Sequence, residues 1–431
     1  MNIVEIIEKK SQNQKLTSQE IEFFVKGFQN GSIKDYQASA LLVAICINGM
    51  SDQEIFALTQ AMVESGIKLD LTSISGFKID KHSTGGVGDK LSLIIGPILA
   101  ALGYKFPKMA GRGLGFTGGT IDKLESITNF NTSITVDKFL AQVDKIGLAI
   151  ISQSKHLVPA DKKLYALRDV TGTVNSIGLI ASSIMSKKIA TGADLILIDV
   201  KFGDGAFMKK LSDAKLLAQK LVDIGNHFGK KTFVEITNMS LPLGKMIGNK
   251  NEVIEAQAIL AGNQKDSLSK FAFSMVERLL INWGSHKESE AKRLIQQTID
   301  SGTALEKFNQ MITAQGGNPK EITSFKFWTP AHKYEVRAQQ SGYVKWESAL
   351  AFGKIAHHLG SGRTFKEDAI DQDAGVQLIC ENGDYVVEDQ VLFVLYSSKK
   401  IAIEQLQSLI DEAYAIVDKP HKAKMFWGSY S

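Results

Sequence analysis

Leu195-Ile196-Leu197-Ile198-Asp199-Val200 is an almost unbroken apolar run, and Thr232-Phe233-Val234-Glu235-Ile236 and Ala149-Ile150-Ile151 repeat its texture. Such runs lack polar–apolar alternation, so the strands they form must be covered on both faces, as in an α/β sheet. Working outward, glycines crowd between Gly85 and Gly119, where short apolar runs alternate with helical spacing. Residues 1 to about 65 hold no strand pattern. There, Thr17-Ser18-Gln19-Glu20 and Ser51-Asp52-Gln53-Glu54 have capping-box form, each opening a helix. The second of these runs through Ile55, Leu58 and Met62 to Gly66, read as a C′ glycine. Residues 36–46 read as a well-buried helix, and residues 160–190 read helical again. From about 335 the pattern turns β-rich. Gly375-Val376-Gln377-Leu378-Ile379 and Val391-Leu392-Phe393-Val394-Leu395 flank Asn382-Gly383, a hairpin signal. The expected plan is a helical unit (1–68, with a return over 160–192), an α/β unit (69–159 and 193–334) and a small C-terminal β-rich α+β unit (335–431).

The chain has 431 residues, which is long enough for two or three domains at roughly 150 residues each. Fifty Lys and Arg against forty-six Asp and Glu leave a net charge of +4. That is no footprint of a nucleic-acid binder. The longest mostly apolar run, 91–104, is too short for a bilayer and is broken by Gly96 and Pro97. Met1-Asn2-Ile3-Val4-Glu5 shows no secretory pattern. The two cysteines, Cys46 and Cys380, read as buried free thiols. These features point to the cytoplasm and away from membranes.

Lys81-His82-Ser83-Thr84-Gly85-Gly86-Val87-Gly88-Asp89-Lys90-Leu91-Ser92 carries the densest chemistry. Small residues let backbone amides approach an anion, hydroxyls donate to it and Lys81 supplies charge. Ser92 falls at the start of a helix predicted over 91–102, where the dipole favours a phosphate. This is not a Walker A loop, since Gly-Lys-Ser/Thr is missing at the needed spacing. In the second cluster, Gly113-x-Gly115-x-x-Gly118 has the form of a dinucleotide fingerprint but no convincing βαβ unit around it. Thr120 is better read as a second donor to the same anion, and Arg112 as a structural ion pair with Asp122 or Glu125. On the helical return, Ser183 and Lys187 stand at i and i+4 and share a face, with Arg168 on the preceding stretch. Lys188 reads as solvated surface. The remaining histidines have no metal-ligand spacing, and neither His-Glu-x-x-His nor Gly-x-Ser-x-Gly occurs.

Lys81 to Asp89, Gly111-Arg112-Gly113-Leu114-Gly115, Thr117-Gly118-Gly119-Thr120 and Asp122-Lys123-Leu124-Glu125-Ser126 together resemble the signature of the thymidine and pyrimidine-nucleoside phosphorylases. Ala160-Asp161-Lys162, Tyr165-Ala166, Arg168-Asp169, Ser183, Lys187-Lys188, Asp199-Val200-Lys201 and Gly360-x-Gly362-Arg363 extend the resemblance along nearly the whole chain. It implies a helical domain facing an α/β domain across a cleft that closes for catalysis, a C-terminal β-rich domain and a homodimer. The implied reaction is phosphorolysis of a pyrimidine nucleoside to free base and α-D-(2-deoxy)ribose 1-phosphate, with inversion at C1′. Lys81, Ser83, Ser92 and Thr120 would hold phosphate, with Lys108, Met109 and Ala110 beside it. Arg168, Ser183 and Lys187 would hold the base, and His82 between them would donate to a base carbonyl. His82, Arg168 and Lys187 would thus carry catalysis. Lys108 resembles the broad-specificity form, implying uridine, thymidine and deoxyuridine; the thymidine-restricted form tends to carry Met there.

The chain departs from the family pattern in five places. Ala110 replaces a Ser that donates to phosphate, Phe116 a His, Asn175 an Asp and Gly178 a Pro. Lys90 stands where a Thr is usual. Some members hold a potassium ion at the positions of Gly88, Lys90, Leu243, Met246 and Glu255, and Lys90 argues against the ion here. No metal or cofactor is otherwise expected, phosphate being a co-substrate. An anthranilate phosphoribosyltransferase-like enzyme shares the fold and a related glycine loop. Lys81-His82-Ser83 together with Arg168, Ser183 and Lys187 argues for the phosphorylase. The same residues argue against a non-catalytic nucleoside-binding role.

Overall fold

The computed structural model describes residues 1–113, 118–153, 156–283, 286–364 and 368–431; Phe116 lies outside them. Helices α1 (Ile3–Ser11), α2 (Ser18–Asn30), α3 (Asp35–Asn48) and α4 (Asp52–Glu64) open the chain. Both capping boxes form. The Glu20 N–H donates to Thr17 Oγ1 while the Thr17 N–H donates to Glu20 Oε2 at 2.7 Å, and Ser51 and Glu54 repeat the exchange. Glu54 also accepts from Lys10 Nζ at 2.7 Å and from the Leu16 N–H at 3.0 Å, both buried, so the start of α4 is tied to α1. Gly66 follows the C-cap Ser65 but lacks the positive φ of a left-handed C′ glycine. A Cβ at Gly66 would lie 2.3 Å from the His156 carbonyl, so close approach of two chain segments is what requires glycine there. Helix α3 is buried along one side only, and Tyr36 and Ile47 remain 73% and 76% exposed.

The middle of the chain forms β1 (Ile79–Ser83), α5 (Leu91–Ala101), β2 (Phe106–Ala110), α6 (Thr120–Glu125), α7 (Val136–Ile146) and β3 (Leu148–Ser152). It then returns to the helical unit as α8 (Pro159–Val170) and α9 (Ile177–Thr191), before β4 (Leu195–Phe202), α10 (Leu211–His227) and β5 (Lys231–Asn238). Strands β1, β4 and β5 are parallel neighbours, and β2 pairs in parallel with β3. Every residue of β4 but the last is buried, as its unbroken apolar run requires. Among the described residues the backbones of β1 and β2 pair only at their beginnings, through the Lys78–Lys105 bridge and the Ile79 N–H donating to the Lys105 carbonyl at 2.8 Å. The ladder stops there. The carboxyl ends of β1 and β2 are therefore not paired with each other, and it is in the crevice outside such strand ends that open α/β sheets bind ligands.

Next come β6 (Met246–Gly248), α11 (Lys250–Leu260), α12 (Ser267–Asn282), α13 (Glu288–Asp300), α14 (Thr303–Ala314) and α15 (Pro319–Ile322). The C-terminal part holds β7 (His332–Arg337), β8 (Gly342–Trp346), α16 (Ala349–Ala356) with a π-helical turn over His357–Ser361, and β9 (Gly375–Leu378). The chain finishes with β10 (Tyr385–Val386), β11 (Val391–Ser397), α17 (Ile403–Ala413), β12 (Tyr414–Val417) and β13 (Phe426–Tyr430). Strands β9 and β11 do pair antiparallel, but Asn382-Gly383 does not close a simple hairpin between them. The chain detours through β10, which pairs with β8 in another sheet, and the Gly383 N–H donates to the Val344 carbonyl at 2.7 Å. The α/β and C-terminal units also exchange strands: β6 joins the β9–β11–β7 sheet, and β13 runs antiparallel to β5. A single cut near residue 335 therefore does not separate them.

Replacing Glu54 by Ala strands the Lys10 ammonium in the helical core. It should cost ~3–5 kcal/mol, as loss of one partner from a buried pair does. The Thr17→Ala cap should cost only about 1 kcal/mol. Urea unfolding of the two variants checks the contrast.

Candidate active site

Strand β1 delivers Lys81, His82 and Ser83 to the crevice. Lys81 is fully buried, and its Nζ makes no hydrogen bond among the described residues. Only Asp199 Oδ2 at 3.8 Å and Asp89 Oδ1 at 3.9 Å approach it. The loop after β1 is sewn to β4: the Thr84 N–H donates to the Asp199 carbonyl at 3.0 Å, and the Lys201 N–H donates to Thr84 Oγ1 at 2.9 Å. Gly88 has φ +73, and a Cβ there would lie 2.5 Å from the Leu243 carbonyl, so only glycine fits. Burial pushes the Asp89 carboxyl up, but Lys81, Lys201, the Ser83 hydroxyl and Lys123 hold it well below the usual carboxylate range. Asp199 accepts from Lys201 Nζ at 2.7 Å and from Thr237 Oγ1 at 2.5 Å.

Lys108, on β2, reaches across the crevice and donates from Nζ to the Lys81 carbonyl at 2.5 Å. Burial, with Lys188 nearby, pushes its pKa down from 10.5 to about 7. His82 is half-buried, and desolvation with the field of Lys188, Lys108, Lys187 and Lys81 holds its pKa well below the usual 6.5. The imidazole is therefore neutral at pH 7 and keeps one N–H to donate. Ser92 is buried in the first turn of α5, and Thr120 opens α6. Met109 and Ala110 end β2.

Helices α8 and α9 carry the other group. Lys187 Nζ donates to Ser183 Oγ at 2.9 Å and to Asp161 Oδ2 at 2.6 Å. Arg168 is buried and donates to the backbone carbonyls of Thr173 (3.2 Å), Val174 (2.8 Å) and Leu179 (3.2 Å), closing the α8–α9 joint. Three of its five N–H groups are so engaged, leaving two. Lys188 is not solvated surface: it is 3% exposed and donates to Asp80 Oδ2 at 2.8 Å. One residue along α9 turns the side chain about 100°, from the face of Lys187 towards β1, where a buried carboxylate meets it.

Sequence reasoning assigned no role to Asp80, Asp89, Asp161 and Asp199, which partner the lysines. For Asp80 and Asp199 the available signal was an acid inside a buried strand, which must have a partner; Asp89, in the loop after β1, and Asp161, on α8, carried no such signal. Arg112 is the structural pair expected. It contacts Glu125, with one N–O distance of 2.8 Å, and Asp122 at 3.4 Å. Asp122 also accepts from Arg363 Nη1 at 2.7 Å, which ties the C-terminal unit to α6.

A helical bundle and an α/β domain with an anion-suited crevice at its strand ends define a nucleoside- or phosphoribosyl-handling glycosyltransferase class. Residues 4–66 match the model of the glycosyl transferase family helical bundle domain, and 75–305 that of the family's a/b domain. Residues 343–417 match the pyrimidine nucleoside phosphorylase C-terminal domain. The chain is 48% identical over 419 residues to the pyrimidine-nucleoside phosphorylase of Staphylococcus haemolyticus, covering 96% of each chain. It is 47% identical to those of Geobacillus stearothermophilus and Bacillus subtilis, covering 95% of each chain in both cases. The crystal structure of anthranilate phosphoribosyltransferase from Thermus thermophilus superposes with a TM-score of 0.59 at 17% identity, over 72% of this chain and 98% of that one. That likeness is one of fold. The chain belongs to the pyrimidine-nucleoside phosphorylase family.

The folded pKa of Lys108 lies below that of an unfolded lysine, so between about pH 7 and 10.5 the unfolded chain binds the extra proton and stability rises with pH. Below pH 7 the cost of a buried charge is fully present. Lys108→Met should therefore raise the melting temperature in phosphate-free buffer, and by more at pH 6.5 than at pH 9.

Proposed function

We propose that this protein cleaves pyrimidine nucleosides with inorganic phosphate, releasing free base and α-D-(2-deoxy)ribose 1-phosphate with inversion at C1′. The observation that carries the reading is the buried Lys81 ammonium, which has no hydrogen bond among the described residues and sits beside a neutral His82 and the lysines of α9. A buried charge so placed calls for an anion. Phosphate is itself an oxygen nucleophile, so the protein must align two reactants, which supplies ~7–11 kcal/mol of barrier reduction at best. Lys81, Ser83, Ser92 and Thr120 are assigned to phosphate, with Lys108, Met109 and Ala110 alongside.

As the C1′–N bond breaks, negative charge spreads to the carbonyl oxygens of the departing base. Arg168, Ser183 and Lys187 are assigned there, where donors strengthen in the transition state. The two N–H groups of Arg168 with no partner among the described residues can serve a carbonyl. His82 donates its N–H between the two subsites. Asp161 positions Lys187. Lys108 beside the sugar favours uridine, thymidine and deoxyuridine alike.

The working form is a homodimer. Tyr36, Ala40, Val43 and Ile47 make an exposed stripe at 4-3-4 spacing on α3, suited to a second copy of the same helix face. No helix of the described residues is long and apolar enough to cross a membrane. Free Cys46 (half-buried, not fully buried as read from sequence) and buried Cys380 suit a reducing compartment, the cytoplasm. With EDTA and phosphate present, uridine or thymidine should release base; absence of release from both would overturn the reading.

Arg168→Ala and Lys187→Ala should each lose at least ~1.5–3 kcal/mol of transition-state stabilisation, roughly ten- to hundredfold in kcat/KM. The KM for phosphate should hardly move. Steady-state kinetics with each substrate varied in turn reads the split, and a variant impaired in phosphate but not nucleoside would contradict the division of the site.

A further inference from the structure

Lys90 caps the N-terminus of α5 yet turns its side chain wholly inward, with no exposed surface. Its three ammonium N–H groups meet three oxygens: the Leu243 carbonyl at 2.8 Å, the Met246 carbonyl at 2.7 Å and Glu255 Oε2 at 2.6 Å. Glu252 Oε2 stands 3.9 Å away and is shared with Lys123 Nζ at 3.3 Å, so two buried lysines face two buried glutamates. Glu255 is bonded on both oxygens, accepting also from the Lys245 and Met246 N–H groups and from Gln264 Nε2.

Among the described residues the oxygens around Nζ are therefore two backbone carbonyls and a carboxylate, with a second carboxylate 3.9 Å away. That is the surrounding of a bare monovalent cation, and an ammonium resembles potassium in size and charge. The oxygens of Leu243, Met246 and Glu255 that the family resemblance assigns to potassium converge instead on Nζ. A second cation cannot share that focus, so the residues present do not fit a bound ion. The Gly88 carbonyl is also engaged, accepting from the Lys90 N–H at 2.9 Å.

The position matters beyond charge balance. Lys90 begins the helix that follows the glycine loop, Leu243 and Met246 precede and open β6, and Glu255 lies on α11. The Leu243 N–H donates to the Val87 carbonyl at 3.0 Å, clamping the same loop from the other side. One ammonium thus joins three chain segments behind the phosphate crevice.

We infer that Lys90 is a tethered monovalent cation that makes the glycine loop independent of bound potassium, and that truncating it opens a cation site on Leu243, Met246 and Glu255. The test is thermal unfolding, which needs no catalysis and so stands apart from the phosphorylase reading. The unmutated protein and Lys90→Thr are melted in potassium chloride and in tetramethylammonium chloride at equal ionic strength. The unmutated protein should melt alike in both. Lys90→Thr should melt lower in tetramethylammonium, because Glu255 is left buried without its partner. Potassium should then raise its melting temperature saturably, by an amount on the order of a few °C. Lys90→Met, which fills the space with an apolar chain, should show no potassium response. A saturable potassium stabilisation of the unmutated protein overturns the inference. So does a Lys90→Thr protein that potassium fails to stabilise or to fold.

Discussion

A lysine ammonium withdrawn from water must be surrounded by oxygen atoms, or its desolvation outweighs anything its attraction supplies. Much of this structure follows from meeting that condition repeatedly around one crevice. Lys201 rests on Asp199, Lys188 on Asp80, Lys187 on Asp161 and Ser183, and Lys90 on Glu255 with two carbonyls. Each pair joins elements distant in sequence or stiffens the strand ends that line the crevice. Two buried ammonium groups lack a hydrogen bond among the described residues, Lys123 and Lys81. Lys123 still has Glu252 Oε2 at 3.3 Å, whereas the nearest carboxylate oxygens to Lys81 stay 3.8 Å and 3.9 Å away. It is this contrast, more than the glycines, that supports the proposed anion site at Lys81.

Helix α9 shows how the two halves of the site are registered. Lys187 looks along its own helix to Ser183 and across to α8 at Asp161, while Lys188 looks back to β1 at Asp80. Consecutive residues thereby fix the helical unit to the strand that delivers Lys81 and His82. Desolvation and then the same lysines depress the basicity of His82, so the electrostatic state of the imidazole depends in part on how α9 sits against β1. At the far side, Arg363 on Asp122 and the exchanged strands β6 and β13 tie the C-terminal unit to the α/β sheet.

Legibility from sequence followed the range of the interaction concerned. The capping boxes at Thr17 and Ser51, the buried run over 195–200 and the shared face of Lys187 and Ser183 all depend on residues within a few positions of one another, and all could be read directly. The Asn382-Gly383 turn was visible as a turn, but its partners were not, because a two-residue strand pairs with whichever edge the fold presents. Gly66 was legible as an obligatory glycine for the wrong reason. Its neighbour is His156, ninety residues away, and no local rule contains that contact. Lys188 was misplaced because a lysine is ordinarily solvated, and only the packing of α9 on β1 puts a buried carboxylate within its reach.

By itself, the sequence determined the fold class, the helical and β-rich regions and, through its motifs, the family; local periodicity, caps and residue types are short-range quantities that the chain carries in order. Tertiary structure alone decided the ionic partners. A buried charge is specified by what surrounds it in three dimensions, so the pairing of Lys188 with Asp80, the opening between β1 and β2 and the inward turn of Lys90 emerge only when distant segments are brought together. The same holds for the proton affinities of His82 and Lys108, which are set by desolvation and by a field of lysines drawn from three separate stretches of chain.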